Sequence, residues 1–193
     1  NKTILKGFNN VLYGIHKIIT KHNIYPKEDL CNFLIESKIE KILNAYIFQD
    51  LLNRKKVFSF ALLGDLFMLG IYPNIDLVFN LVILLNETEQ NEFVDWSLKI
   101  ILKSLRQILF YCDQEILMMI YQTGICNKLL EISILDAYYC IVIFINRVNS
   151  LDLLSFISDE YVDLSCSLIL NDDEELLNLV INGVIRLIDV AEW

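Results

Sequence analysis

The side chains best suited to covalent or metal chemistry in this 193-residue chain are five cysteines and two histidines. The cysteines are Cys31, Cys112, Cys126, Cys140 and Cys166; their number is odd and no two form a C-x-x-C pair. Cys126 and Cys140 fall in apolar stretches of helical spacing, so the cysteines read as small hydrophobes in a reducing compartment. His16 and His22 stand beside Lys17 and Lys21. A metal site needs a second His or a carboxylate one helical turn away, and neither histidine has one. A Cys–His nucleophile pair brought together by folding stays open, with nothing in the sequence that favours it. There is no P-loop, G-x-G-x-x-G, G-x-S-x-G or H-E-x-x-H, and Gly64 and Gly70 are isolated within an apolar helical pattern. The expectation is a protein that is not an enzyme, with no catalytic residue, no cofactor and no metal.

The elements that would have to position any site are apolar ones. Apolar residues make up 55% of the chain, which excludes a disordered polymer despite a net charge of -9. Six Gly and two Pro are too few for a fold built on many tight turns. A membrane-spanning helix needs about 18–20 mostly uncharged residues. The most apolar stretch, Val57 to Tyr72, carries Asp65 at its middle, and Leu77 to Leu85 is closed off by Asp76 and Glu87. These are lengths for helices buried in protein, so no membrane partner is expected. The start, Asn-Lys-Thr, shows no secretory signal, and the absence of an initial Met suggests processing or a longer parent chain.

Charge is unevenly placed. Residues 1–56 balance at +5 and residues 57–193 at -14. Nucleic-acid binding demands a basic phosphate-neutralising face, and the only basic cluster is Arg54-Lys55-Lys56. An acidic surface instead suits basic segments of a protein partner, or serves to keep an apolar protein dissolved.

Helical spacing dominates the chain. Leu177, Val180, Ile181, Val184, Leu187, Ile188 and Ala191 form one predicted helix face, opened by Asn171-Asp172-Asp173-Glu174-Glu175, a capping residue followed by carboxylates at the positive helix end. Sustained strand-like alternation is absent, so the fold class is all-α. Long helices are predicted over 4–20, 50–69, 92–110, 134–149 and 173–191, with pairs of shorter ones between them, such as 115–122 with 125–132 and 151–157 with 160–170.

Asp65, Ile108, Asn146 and Arg186 occupy equivalent positions near the ends of successive long helices, at separations of 43, 38 and 40. Three helices in about forty residues is the period of an armadillo repeat. One unit cannot bury its apolar helix faces alone; stacking buries them on the next unit and leaves a groove lined by third helices. The expected architecture is a right-handed α-solenoid of armadillo repeats forming a single array over 1–193. It comprises a partial repeat at 1–25 and repeats at about 26–70, 71–111, 112–150 and 151–193.

Three segments resemble the importin-α (karyopherin-α) family. Gly124-Ile125-Cys126-Asn127-Lys128-Leu129-Leu130-Glu131-Ile132 resembles the turn and second helix of its repeats, where a glycine takes a left-handed turn. Glu160 to Ile169 resembles the same region of a later repeat, and Val180-Ile181-Asn182-Gly183-Val184-Ile185-Arg186-Leu187-Ile188 resembles a third helix near the end of the array. The family presents a Trp and, four residues on, an Asn from successive third helices. The Asn side chains hold a nuclear-localisation peptide, and the Trp rings flank its Lys and Arg stems. The equivalent pairs here are Ala61/Asp65, Ser104/Ile108, Val142/Asn146 and Asn182/Arg186, of which only Asn146 matches. Trp96 falls two turns too early and is expected in core or inter-repeat contacts. Ser37, Asn74 and Glu160 replace the other turn glycines, and only Asn suits a left-handed turn.

The resemblance implies an adaptor of cytoplasm and nucleus that carries cargo with basic localisation-type peptides, with an importin-β-type receptor as a further partner. The implied groove contacts are Asp65, Asp95, Ser104, Ile108, Asp136, Val142, Asn146, Asn182 and Arg186. Ile108 and Val142 at groove positions motivate the alternative, a structural scaffold that assembles protein partners through an apolar groove.

Overall fold

The structure, a computed structural model, describes residues 2–21, 27–47, 57–87, 95–132, 134–148, 150–153, 156, 158–169 and 173–191. Among these there are twelve helices and no strand, so the chain is all-α as its periodicity requires. In chain order they are α1 (Lys2–Thr20), α2 (Lys27–Glu36), α3 (Ile39–Ile47), α4 (Val57–Leu69), α5 (Ile75–Glu87) and α6 (Asp95–Tyr111), then α7 (Gln114–Gln122), α8 (Ile125–Glu131), α9 (Leu135–Arg147), α10 (Ser150–Leu153), α11 (Asp159–Ile169) and α12 (Glu174–Ala191). The five predicted long helices are α1, α4, α6, α9 and α12. The expected start of the second at residue 50, His22, Trp193 and the Arg54-Lys55-Lys56 cluster lie outside the described residues. None of the described helices is long and apolar enough to cross a membrane.

The chain divides into two compact units, residues Asn1–Cys112 and Asp113–Trp193. The sequence pattern reads as one continuous array, but the division falls at one of its expected repeat boundaries.

In the first unit α4 is buried almost all round, because it is apolar all round. α1 packs on it, and so does α6. Gly64 explains how closely α6 can come: a Cβ there would stand 2.9 Å from the Ser104 Cα and 3.1 Å from its carbonyl oxygen. The end of α4 is closed by Gly70 at φ +80°, with Gly70 N–H donating to Phe67 O and Ile71 N–H to Leu66 O. α5 begins on Asn74, whose side-chain oxygen accepts from Asp76 N at 2.9 Å, while Asn74 N–H donates to Glu40 of α3 at 2.8 Å.

In the second unit α9 is the central helix, buried from Tyr139 to Ile145. α7, α8 and α12 all pack on it. Asp113 caps α7 by accepting from Ile116 N at 2.8 Å. Asp173 caps α12 through Leu176 N at 3.1 Å, and its other oxygen accepts from Tyr139 OH at 2.6 Å.

Two sequence expectations change here. Gly124 does take the left-handed turn, at φ +75°, but the replacements for the other turn glycines do not. Asn74 is a helix cap, Glu160 lies inside α11, and the left-handed residue after α2 is Lys38, at φ 54°, not Ser37. The second change concerns α12. Its buried stripe is Leu176, Val180, Gly183 and Leu187, whereas Ile181 and Ile188, predicted for the core face, are exposed. Apolar residues occupy both sides of this helix, and the side carrying Gly183 wins because it allows close approach. A Cβ at Gly183 would already lie 3.2 Å from the Tyr161 hydroxyl and 3.3 Å from Ile145.

Candidate protein-binding surface

The ladder positions come first, because the importin-α resemblance assigns them to peptide binding. Asp65 is 1% exposed, so its carboxylate does not face a groove; its Oδ2 lies 2.6 Å from Nδ1 of His16 on α1. Ala61, Ser104, Ile108 and Val142 are buried as well. The physical reason is local. These side chains fall on the sides of α4, α6 and α9 that meet neighbouring helices, and Ser104 satisfies its hydroxyl on Ile100 O of its own helix. The apolar groove that Ile108 and Val142 motivate is therefore core.

Asn146, the one ladder match, is half-buried and its amide group is engaged within the fold. It donates to Val142 O at 2.9 Å and to Leu179 O of α12 at 2.8 Å. Arg186 reaches from α12 to the end of α9, where its guanidinium donates to Ile145 O at 2.8 Å and to Val148 O at 2.5 Å. Those are carbonyls a helix end leaves without intrahelical partners. Asn182 is exposed on α12, and Asp136 is half-buried in the first turn of α9, the positive end of that helix. Asp95 opens α6, and its side chain lies outside what is described. Within the first unit Asp65, Ser104 and Ile108 are thus buried, and within the second Val142 is buried while Asn146 and Arg186 are engaged inside the fold. Trp96, expected in core or inter-repeat contacts, is 43% exposed and stacks loosely on Phe58, ring centroids 6.2 Å apart.

What is accessible is an aliphatic ridge on α12. Ile181, Ile185 and Ile188, at 43%, 52% and 52% exposure, repeat at i, i+4 and i+7 and so line one face of the helix. Glu174, Glu175 and Asp189 are exposed on the same helix, and Asp159, Glu160 and Asp163 on α11 beside it. The Glu160 carboxyl is held below its ordinary value by its own backbone N–H and by the Ser158 hydroxyl, which keeps it anionic. From residue 159 to the end the sequence has nine carboxylates and one base, Arg186, which is committed to α9. An apolar ridge rimmed by carboxylates is chemistry for a basic, amphipathic partner.

The first unit carries an open apolar groove between α1 and α2. It has a volume of about 330 Å³, with Ile15, Ile18, Leu30 and Phe33 in its wall together with Asp29 in the first turn of α2. Val11, Ile15 and Ile18 repeat the i, i+4, i+7 spacing along α1, and Phe33 is 59% exposed. The neighbouring stripe of α1, Leu12, His16 and Ile19, about 100° around the helix, is the one packed inward.

Catalytic arrangements are sparse. The described residues contain no cluster of three or more His, Cys, Asp or Glu side chains that could hold a metal. All five cysteines are free; burial pushes the Cys126 thiol up to about 12, which makes it a poor nucleophile. The sequence pattern missed both accessible surfaces: on α12 it puts Ile181 and Ile188 on one face with Val180 and Leu187, and it gives no separate reading of the apolar residues of α1 and α2. The signal that could have found them is a helix with apolar residues on two faces, only one of which can face inward.

Compared with known proteins, the chain matches no family model, no curated protein and no solved structure.

Proposed function

We propose that this chain is a divergent armadillo-type adaptor, resembling importin-α, that binds basic segments of protein partners. Two features support the solenoid reading. Among the described residues three of the expected repeats hold helix triplets, α2–α3–α4, α7–α8–α9 and α10–α11–α12, while the repeat at about 71–111 holds α5 and α6 alone; within each unit long helices pack on one another, α1 on α4 on α6 and α9 on α12. The observation that carries the binding reading is the exposed Ile181, Ile185, Ile188 ridge among carboxylates. The partner meets the chain there, while Ala61, Asp65, Ser104, Ile108 and Val142 of the ladder serve the core. Lysine stems lie along the isoleucines while their ammonium groups reach the rim carboxylates.

A lysine-rich localisation-type peptide is the first probe, titrated at two salt concentrations. Binding at low salt, weakened about tenfold at high salt and again by I185K, is the expected result. No binding at low salt removes the reading. Binding that ignores salt but is still lost in I185K favours the alternative, a scaffold that assembles partners through apolar contact, and the same ridge motivates it.

A further inference from the structure

We propose that the α12 ridge of one copy seats in the α1–α2 groove of a second copy of this chain, so that the protein associates head to tail. The inference rests on the reading of α12 as a binding face and names one occupant for it. Three observations converge. First, the two surfaces match in form: a row of isoleucines at i, i+4, i+7 on α12 meets an open apolar groove whose α1 wall is Ile15 and Ile18, with exposed Val11 one turn before them on the same stripe. Ridge into groove is how helices pack.

Second, the surfaces match in charge. The α1 side of the groove is basic, residues 1–27 containing five lysines and no carboxylate, while α2 adds Glu28, Asp29 and Glu36; α12 displays Glu174, Glu175 and Asp189 with its only cation turned to α9. Lys17 and Lys21 are exposed on and just beyond α1, where they can meet those carboxylates. Asp29, the carboxylate in the groove wall, sits in the first turn of α2, whose positive end compensates it.

Third, each surface leaves large aliphatic and aromatic groups in water, Ile185 at 52% and Phe33 at 59%, which association would remove.

The two surfaces differ, so the contact is heterologous. It leaves a free groove at one end of the assembly and a free ridge at the other, and growth continues unless a ring closes. Sedimentation velocity of the full chain over a concentration series tests this at low and high salt. The expected result is association that grows with concentration and weakens about tenfold in apparent affinity at high salt. I185K destroys the ridge and F33D the groove, and each variant alone is expected to be monomeric. An equimolar mixture then stops at a dimer, because the intact ridge of F33D meets the intact groove of I185K and nothing remains to extend it. Where circular dichroism shows I185K to be unfolded, I188E takes its place.

A monomeric wild type at high concentration and low salt overturns the proposal, as does a mixture that stays monomeric. A symmetric dimer that persists in both variants also overturns it. A monomeric chain that still binds the lysine-rich peptide removes self-association alone; a monomeric chain that binds no peptide removes the adaptor reading as well.

Discussion

His16 on α1 and Asp65 on α4 form a 2.6 Å contact in which the carboxylate is 1% exposed and the imidazole 23%. The other carboxylate oxygen, Oδ1, is buried without a hydrogen-bond partner. The histidine is thus what makes an acid tolerable inside α4, and the pair joins two helices that pack on each other. Removing one member is expected to be costly. H16A should lower the stability of the chain by about 3–5 kcal/mol in urea unfolding, since it strands a buried carboxylate. The double variant H16L/D65L should recover most of that loss, because apolar groups of similar size need no partner there. An H16A protein as stable as the parent would show that the contact holds nothing.

Asn146 offers a direct contrast between the ladder of the importin-α resemblance and the fold. If its amide served a bound peptide, N146A would weaken binding and leave stability alone. Its bonds to Val142 O and to Leu179 O predict the reverse. The expected result is a loss of about 1–3 kcal/mol, from a carbonyl of α12 left without its donor, with peptide affinity unchanged. Thermal melting and the peptide titration on the same sample read the two quantities side by side.

Gly64 sets the distance between α4 and α6. G64A places a methyl against the Ser104 backbone at 2.9 Å, and a backbone cannot swing away as a side chain can. Overpacking of this kind costs about 1–3 kcal/mol, which outweighs the better helix propensity of alanine, about 1 kcal/mol. G14A has nothing within 4 Å of the added carbon and should be neutral or stabilising, a control for propensity alone. Equal melting points for the two variants would exclude a close helix contact at Gly64.

Cys126 and Tyr161 make the second unit sensitive to alkali. Burial pushes the Cys126 thiol from its ordinary 9.0 up to about 12, and burial also raises the Tyr161 phenol. A raised pKa in the folded state means that the unfolded chain loses protons first. The stability from the neutral thiol is complete below pH about 9 and drains as pH rises through about 12, by at most about 1.4 kcal/mol per pH unit for one group. Melting temperature should therefore be flat at neutral pH and fall above pH about 9, less steeply in C126A. Thiol labelling adds a second readout. Cys166 is exposed and should react fast, while Cys112, Cys126 and Cys140 are buried and should react only on unfolding. Rapid labelling of Cys126 in the native chain would contradict its burial.

Elements were easier to read in the sequence than surfaces. The cap of α12 is Asp173, where the sequence pattern places it at Asn171, but the five long helices and the turn at Gly124 follow from local rules, spacing and turn chemistry, that act within a few residues. The apolar side of α12 did not, since Leu176 and Ile181 look alike in a spacing pattern and only the close approach at Gly183 decides which turns inward. His16 had no sequence neighbour to suggest a partner 49 positions away. The ladder failed for a related reason. A position in a repeat fixes where a residue sits along its helix, but whether Ile108 or Val142 meets solvent depends on what the next helix presents to it.

The grip of Arg186 on the last carbonyls of α9 gives the C-terminal helix a duty beyond its own packing. A protease that cut between α11 and α12 and freed the end piece would also strip the clasp from α9, the centre of its unit. Damage at the tail would then travel inward by some forty residues, and fraying of α9 would be its earliest sign.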